Sequence, residues 1–94
     1  GLRVLVVACD RFGTLQLACG LDQLAAAAGC GRLAVNSESQ SASAVRGTTF
    51  ADVESGELML YCDSFGHPAL AVRQGSAAAL LGVGAGDWLS LRVL

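Results

Sequence analysis

Leu2 to Cys9 is a continuous run, LRVLVVAC, apolar at every position but Arg3 and closed by the polar pair Asp10 and Arg11. Its length and its valine and leucine content predict a buried strand. Asp10-Arg11-Phe12-Gly13 reads as a turn in which Gly13 supplies a permissive backbone. Thr14 to Cys19 (TLQLAC) then reads as a second strand, so the two form a hairpin. Leu21 to Ala28 (LDQLAAAA) has high helix propensity and stops at Gly29, which predicts a helix of about two turns.

Arg32 to Asn36 (RLAVN) alternates as a short strand does, whereas Ser37 to Ser43 (SESQSAS) is polar without period and reads as an exposed loop tip. A further strand is expected over Ala44 to Gly47. A turn at Ser55-Gly56 leads into a strand over Leu58 to Cys62 (LMLYC). A turn over Asp63 to Gly66 precedes another strand over Ala69 to Arg73 (ALAVR), giving a second hairpin. Ser76 is placed to cap a short helix reaching Leu81. After the loop Val83 to Asp87, an alternating strand runs from Trp88 to Leu94 (WLSLRVL). Six or seven short strands with one or two short helices, separated by glycine turns, predict a mainly β fold: a small antiparallel barrel or sandwich with helical trim. Ninety-four residues support one core, so residues 1 to 94 are read as a single domain.

Composition adds to this picture. With 53% hydrophobic and 15% charged residues the chain lies on the apolar side of globular proteins. It has no apolar run of the roughly 20 residues that a membrane span needs, so it reads as soluble, with a surface suited to lying against a partner. The arginines, Arg3, Arg11, Arg32, Arg46, Arg73 and Arg92, are scattered singly and there is no lysine. Nucleic-acid binding needs clustered positive charge to displace counterions, and no nucleic acid is expected. A chain starting at Gly1 without a basic and apolar leader reads as one from which a targeting segment was removed or to which none belonged. A processed organellar subunit, for example from a plastid, fits that reading.

Candidate chemistry is sparse. Cys9, Cys19, Cys30 and Cys62 include no C-x-x-C pair and the one histidine is His67, so no metal site is expected. Reduced thiols are favoured, with disulfide pairing left open. Asp63, Ser64 and His67 crowd one turn, where a catalytic triad cannot set its acid on the far side of the ring, and they read as a solvated turn. Gly82-Val83-Gly84-Ala85-Gly86 follows a helix and precedes a strand, the reverse of a phosphate loop. Asp52, Glu54 and Glu57 lack calcium-loop spacing. Asp10 ends the first strand directly before Phe12. A carboxylate beside an aromatic ring can hold an amine and stack a flat ring, or it can fix the turn through an Asx-type hydrogen bond.

From Asp10 onward the chain resembles the C-terminal domain of the S-adenosylmethionine hydroxide adenosyltransferases, relatives of the fluorinating and chlorinating S-adenosylmethionine enzymes. The family pattern runs D-x-F-G-N-x-x-T-N, an aromatic before E-x-G-E, S-x-G, an apolar strand, G-N-A-A and L-G-x-x-x-G-D. The chain offers DRFGT, FADVESGEL, SFG, ALAVRQGSAAALLG and GAGDWLSLRVL in the same order. The resemblance implies a barrel-like domain that holds the adenine and methionine ends of the substrate against a neighbouring subunit's N-terminal domain, typically in a trimer. It implies that Asp10 lies near the methionine amine, that Phe12 is the aromatic of the pocket, and that Ser64 lies near the methionine carboxylate.

Five polar positions depart from the family pattern. Thr14 stands for asparagine, Leu17 and Ala18 for threonine and asparagine, Ala69 for glutamate, and Ser76 for asparagine. The family's water-activating residues belong to its N-terminal domain, so the chain is not expected to be an enzyme on its own and no catalytic residue is assigned. Two functions follow as expectations. The first is a non-catalytic interaction module that docks into a larger assembly or homo-oligomer and needs no cofactor. The alternative is the S-adenosylmethionine- or adenosine-binding half of a split adenosyltransferase, with Asp10, Phe12 and Ser64 as its ligand contacts.

Overall fold

The computed structural model describes residues 2–18, 32–47, 53–62 and 67–93. Within them lie seven strands: β1 (Leu2–Cys9), β2 (Leu15–Leu17), β3 (Arg32–Asn36), β4 (Ser41–Arg46), β5 (Leu58–Cys62), β6 (Pro68–Val72) and β7 (Trp88–Val93). One helix, α1 (Ala77–Leu81), completes the described elements. The strands close into a barrel in the order β1-β2-β6-β5-β4-β3-β7, and β7 returns to β1 through the register Leu2↔Leu91 to Leu5↔Trp88. The mainly β class with a small barrel and short helical trim is therefore borne out.

In a closed ring of seven strands the directions cannot alternate all the way round, so at least one neighbouring pair must run parallel. That seam is β4–β5, with Ala44↔Leu58 and Arg46↔Leu60 in register, and the other six pairs are antiparallel. A parallel pair needs a crossover rather than a tight turn. On the approach to β5 the chain is anchored where Arg73 donates Nη1 to the carbonyl of Val53 at 2.7 Å.

The core is the barrel interior. Val4, Val6, Leu15, Leu33, Val35, Leu58, Leu70, Leu89 and Leu91 are all 2% exposed or less. Ala77 and Leu81, one helical turn apart on α1, join the same cluster. No polar side chain is buried among the described residues. The apolar run of β1, expected to be buried throughout, instead follows the two-residue period of a barrel wall. Val4 and Val6 point inward while Arg3, Val7 and Cys9 face out. Cys9 is thus an exposed free thiol rather than a small core residue.

β5 and β6 do read as continuous apolar segments because both of their faces are covered. Met59, Ala69 and Ala71 are buried although Leu58, Leu60 and Leu70 already fill the interior phase. Pro68 opens β6, the strand position at which a missing N–H does least harm. The serine-rich loop tip proves shorter than expected, since Ser41, Ala42 and Ser43 pair with Asn36, Val35 and Ala34 of β3. Backbone pairing decides the matter, as Ser41 and Ser43 simply face solvent. The helix expected over Leu21 to Ala28 and the end of the second expected strand lie outside the described residues.

α1 is capped as its sequence indicates. Ser76 is extended (φ −125°, ψ 119°) and its Oγ accepts from the N–H of Ala79 at 3.1 Å, while Gly82 ends the helix in the left-handed region at φ 66°. Ser37 of the β3–β4 turn donates its hydroxyl to the Leu81 carbonyl at 2.7 Å and so ties that turn to the helix end.

The inside and outside phases of the wall are checked by truncation. Leu91→Ala should cost about 3 kcal/mol in urea unfolding, whereas Val7→Ala should cost less than about 1 kcal/mol. Equal losses at the two positions would contradict the assigned faces.

Candidate functional site

The turn that joins β1 to β2 is closed by four hydrogen bonds around Asp10. The backbone bonds are Asp10 N–H to the Thr14 carbonyl (3.1 Å) and Gly13 N–H to the Asp10 carbonyl (3.0 Å). The carboxylate adds two more, since Oδ1 accepts from the amides of Phe12 (2.8 Å) and Thr14 (3.0 Å). The Asx-type role considered for Asp10 is therefore filled by one oxygen. Oδ2 takes no hydrogen bond from the described residues, and an ionised carboxylate accepts on both oxygens.

The turn carries Phe12 outward. Its ring is 65% exposed, with the Arg11 guanidinium 4.8 Å from the ring centroid. An aromatic ring contributes most to stability when buried, so in this position the Phe12 ring adds little to the core. Gly13 makes this turn possible. It adopts φ 81°, a region that side chains rarely enter, and it is buried. The structure thus brings Asp10 and Phe12 together, while Ser64 lies outside the described residues.

Two distant segments converge on this turn. The carbonyl of Gly13 accepts from the N–H of Ala78 at 3.0 Å, satisfying one of the amides left unpaired at the start of α1. Gly13 also lies directly against Ser76: a Cβ at Gly13 would sit 2.6 Å from that of Ser76 and overlap its hydroxyl. Farther back along β1, Val6 exchanges bonds with the Gly86-Asp87 turn, as Val6 N–H to the Asp87 carbonyl (2.8 Å) and Gly86 N–H to the Val6 carbonyl (2.7 Å). The DRFG, GSAA and GAGD segments, separate in sequence, meet on β1 and its turn. Sequence reasoning treated Ser76 only as a cap and a departure, and no signal in one chain links it to Gly13.

Other positions read from the sequence have structural occupations. Leu17 and Ala18 line a shallow, mainly apolar groove of about 320 Å³ with Val7, Gln16, His67 and Pro68. A larger groove of about 450 Å³, between the β3–β4 turn and the loop before β7, contains neither Asp10 nor Phe12. Its lining includes Trp88, half exposed, with the Arg3 guanidinium 5.2 Å from its ring centroid. Glu57 accepts from Arg32 (3.4 Å) and from the amide of Glu54 (3.2 Å), so its carboxylate serves local structure. Asp87 Oδ2 accepts from the Gly84 amide at 2.8 Å, making the 82–87 segment a closed loop between helix and strand. Among the described residues no group of His, Cys, Asp and Glu is placed to hold a metal ion, and no helix is long and apolar enough to cross a membrane.

Comparison with known proteins agrees with the geometry. Residues 4–90 match the SAM hydroxide adenosyltransferase C-terminal domain family. An (R)-S-adenosyl-L-methionine hydrolase from Salinispora tropica is 40% identical over 89 residues, spanning 95% of this chain and 32% of the hydrolase. Among solved structures, an uncharacterized conserved protein from Thermotoga maritima superposes with a TM-score of 0.86 at 26% identity, over 96% of this chain and 35% of its own. A conserved hypothetical protein from Thermus thermophilus superposes with a TM-score of 0.69 at 27% identity, over 97% of this chain and 35% of its own. The chain therefore spans about a third of the length of each of these relatives.

The role of the Asp10 carboxylate within the turn is tested by two substitutions. Asp10→Ala should speed hydrogen exchange at the Phe12 and Thr14 amides and cost about 1 to 2 kcal/mol in stability. Asp10→Asn keeps an Oδ1 acceptor and should leave both amides protected. Equal protection in Asp10→Ala and the unaltered protein would show that the carboxylate does not hold the turn.

Proposed function

The chain belongs to the SAM hydroxide adenosyltransferase C-terminal domain family, and from that membership we propose that it is the S-adenosylmethionine-recognising domain of an enzyme that cleaves this substrate with water. The groups that activate water come from another domain, and this chain contributes one wall of the site. The observation that carries the reading is Phe12, held 65% exposed on a turn whose carboxylate keeps one oxygen uncommitted among the described residues. The ring offers a face for adenine, and stacking of a base on an aromatic is worth about 1 to 3 kcal/mol. Asp10 Oδ2 offers an acceptor for the ammonium of the methionine end. Ser64 is assigned to the methionine carboxylate by its place in the SFG segment. The 40% identity to the Salinispora hydrolase over nearly the whole chain supports placing this reading ahead of a purely structural role.

A second reading is favoured by a different observation. The groove lined by Leu17 and Ala18 is apolar where the family pattern is polar, and Val7, Leu80 and Trp88 are exposed. In that reading the domain keeps its shape and docks into a larger assembly or homo-oligomer without binding nucleotide.

Calorimetric titration with S-adenosylmethionine and with adenosine separates the two. The first reading expects saturable binding that Phe12→Ala weakens at least about tenfold, a loss of about 1.4 kcal/mol, and that Phe12→Tyr preserves. Affinity unchanged by Phe12→Ala would sink the stacking role. Absence of heat at millimolar concentration of either ligand would favour the docking module.

A further inference from the structure

Ser76 and Gly13 touch across 62 residues of sequence, and the contact has no part in closing the barrel. The Asp10–Thr14 turn is closed by four hydrogen bonds of its own, none of which involves the helix. What the turn lacks by itself is a fixed orientation relative to the barrel rim, because a hairpin turn can tilt about its two strands. The helix start supplies that orientation. Ser76 is held by its cap bond to Ala79, and its side chain covers the face of Gly13. Next to it, Ala78 donates to the Gly13 carbonyl. A flat contact on one side and a hydrogen bond on the other leave the residue after Phe12 one position to occupy.

We propose that Ser76 and Gly13 are positioning residues, forming a seat that sets the angle at which Phe12 is presented to its ligand. The inference rests on the reading of Phe12 as the stacking residue. Neither residue touches ligand; both act through the aromatic ring. The serine hydroxyl faces Gly13 and the Ala79 amide, so at this position the chain uses its polar group for orientation rather than for contact with a base edge. Gly13 is required twice over, by its positive φ and by the absence of a Cβ.

The test is a set of variants of the full chain titrated with adenosine, paired with hydrogen exchange. Gly13→Ala should weaken binding at least about tenfold, while the amides of Leu33 and Val35 in the barrel wall stay protected. Phe12→Ala combined with Gly13→Ala should bind no more weakly than Phe12→Ala alone, since the seat works only through the ring. Ser76→Gly retains an acceptable cap residue and removes the side chain that covers Gly13, so it should weaken adenosine binding in the unaltered background and have no further effect where Phe12 is already alanine.

A Gly13→Ala protein that binds normally, effects of Phe12→Ala and Gly13→Ala that multiply in full, or a folded Ser76→Gly protein that binds adenosine normally would each overturn the seat. If Phe12→Ala itself changes nothing, the ligand reading falls instead. Should Gly13→Ala fail to fold, the unaltered chain still decides. Adenosine binding should raise protection of the Ala78 amide together with that of Phe12. A rise at Phe12 with none at Ala78 would overturn the proposal.

Discussion

Closure of the strand ring is the constraint on which everything else in this domain depends. An open sheet of this size would leave a row of unpaired backbone groups at each edge, and the β1–β7 register removes both edges at once. Seven strands close only with a parallel seam, and a parallel seam needs a crossover between β4 and β5. The crossover is stapled by Arg73 to Val53 and by Arg73 N–H to the Glu57 carbonyl at 3.2 Å. Charge in this chain is thus spent partly on holding the connection that an odd strand number makes necessary.

A closed ring filled with leucine and valine has no interior room for chemistry. The wall is one residue thick and every second side chain is committed to the core, which leaves the outer face, the rims and the turns as the surfaces open to contact. β1 shows how the two roles are combined. Its inward residues Val4 and Val6 build the core, its backbone at Val6 receives the Gly86-Asp87 turn, and its end projects Asp10 and Phe12. The same strand therefore transmits the rigidity of the core to the candidate site. α1 has a similar double character, with Ala77 and Leu81 in the core and Ser76 and Ala78 against the Phe12 turn.

Much of this was legible in the sequence, and the pattern of what was not is physically instructive. β1, β3 and β5 have the bounds their apolar patterns predict, and the Ser76 cap is where serine before an alanine run places it. Local chemistry determines these features. Ser41 to Ser43 were read as loop because their side chains are polar, yet a strand with one face in water needs only backbone partners on that face. Val7 and Cys9 read as buried because beyond Arg3 no polar residue of β1 marks its outer phase. The parallel seam and the Gly13–Ser76 contact depend on chain closure in three dimensions, which neither residue types nor spacing encode locally. At the site, the pairing of Asp10 with Phe12 could be read from adjacency, whereas the orientation of their turn could not.

The departures from the family pattern take on a definite meaning once the residues are placed. Leu17 is nearly fully buried and Ala69 is buried, so these side chains serve packing, and Ser76 serves the helix and the turn. None of the three substitutions leaves an unsatisfied group in the protein. The deficit falls on any nucleoside that binds, whose base-edge donors and acceptors then lack partners at about 1 to 3 kcal/mol for each one desolvated. Stacking of a base on an aromatic ring is worth about 1 to 3 kcal/mol as well, so two unmet edge groups would cancel it. A nucleoside could bind here only if its edge stayed in water, met backbone groups, or were completed by an apposed surface.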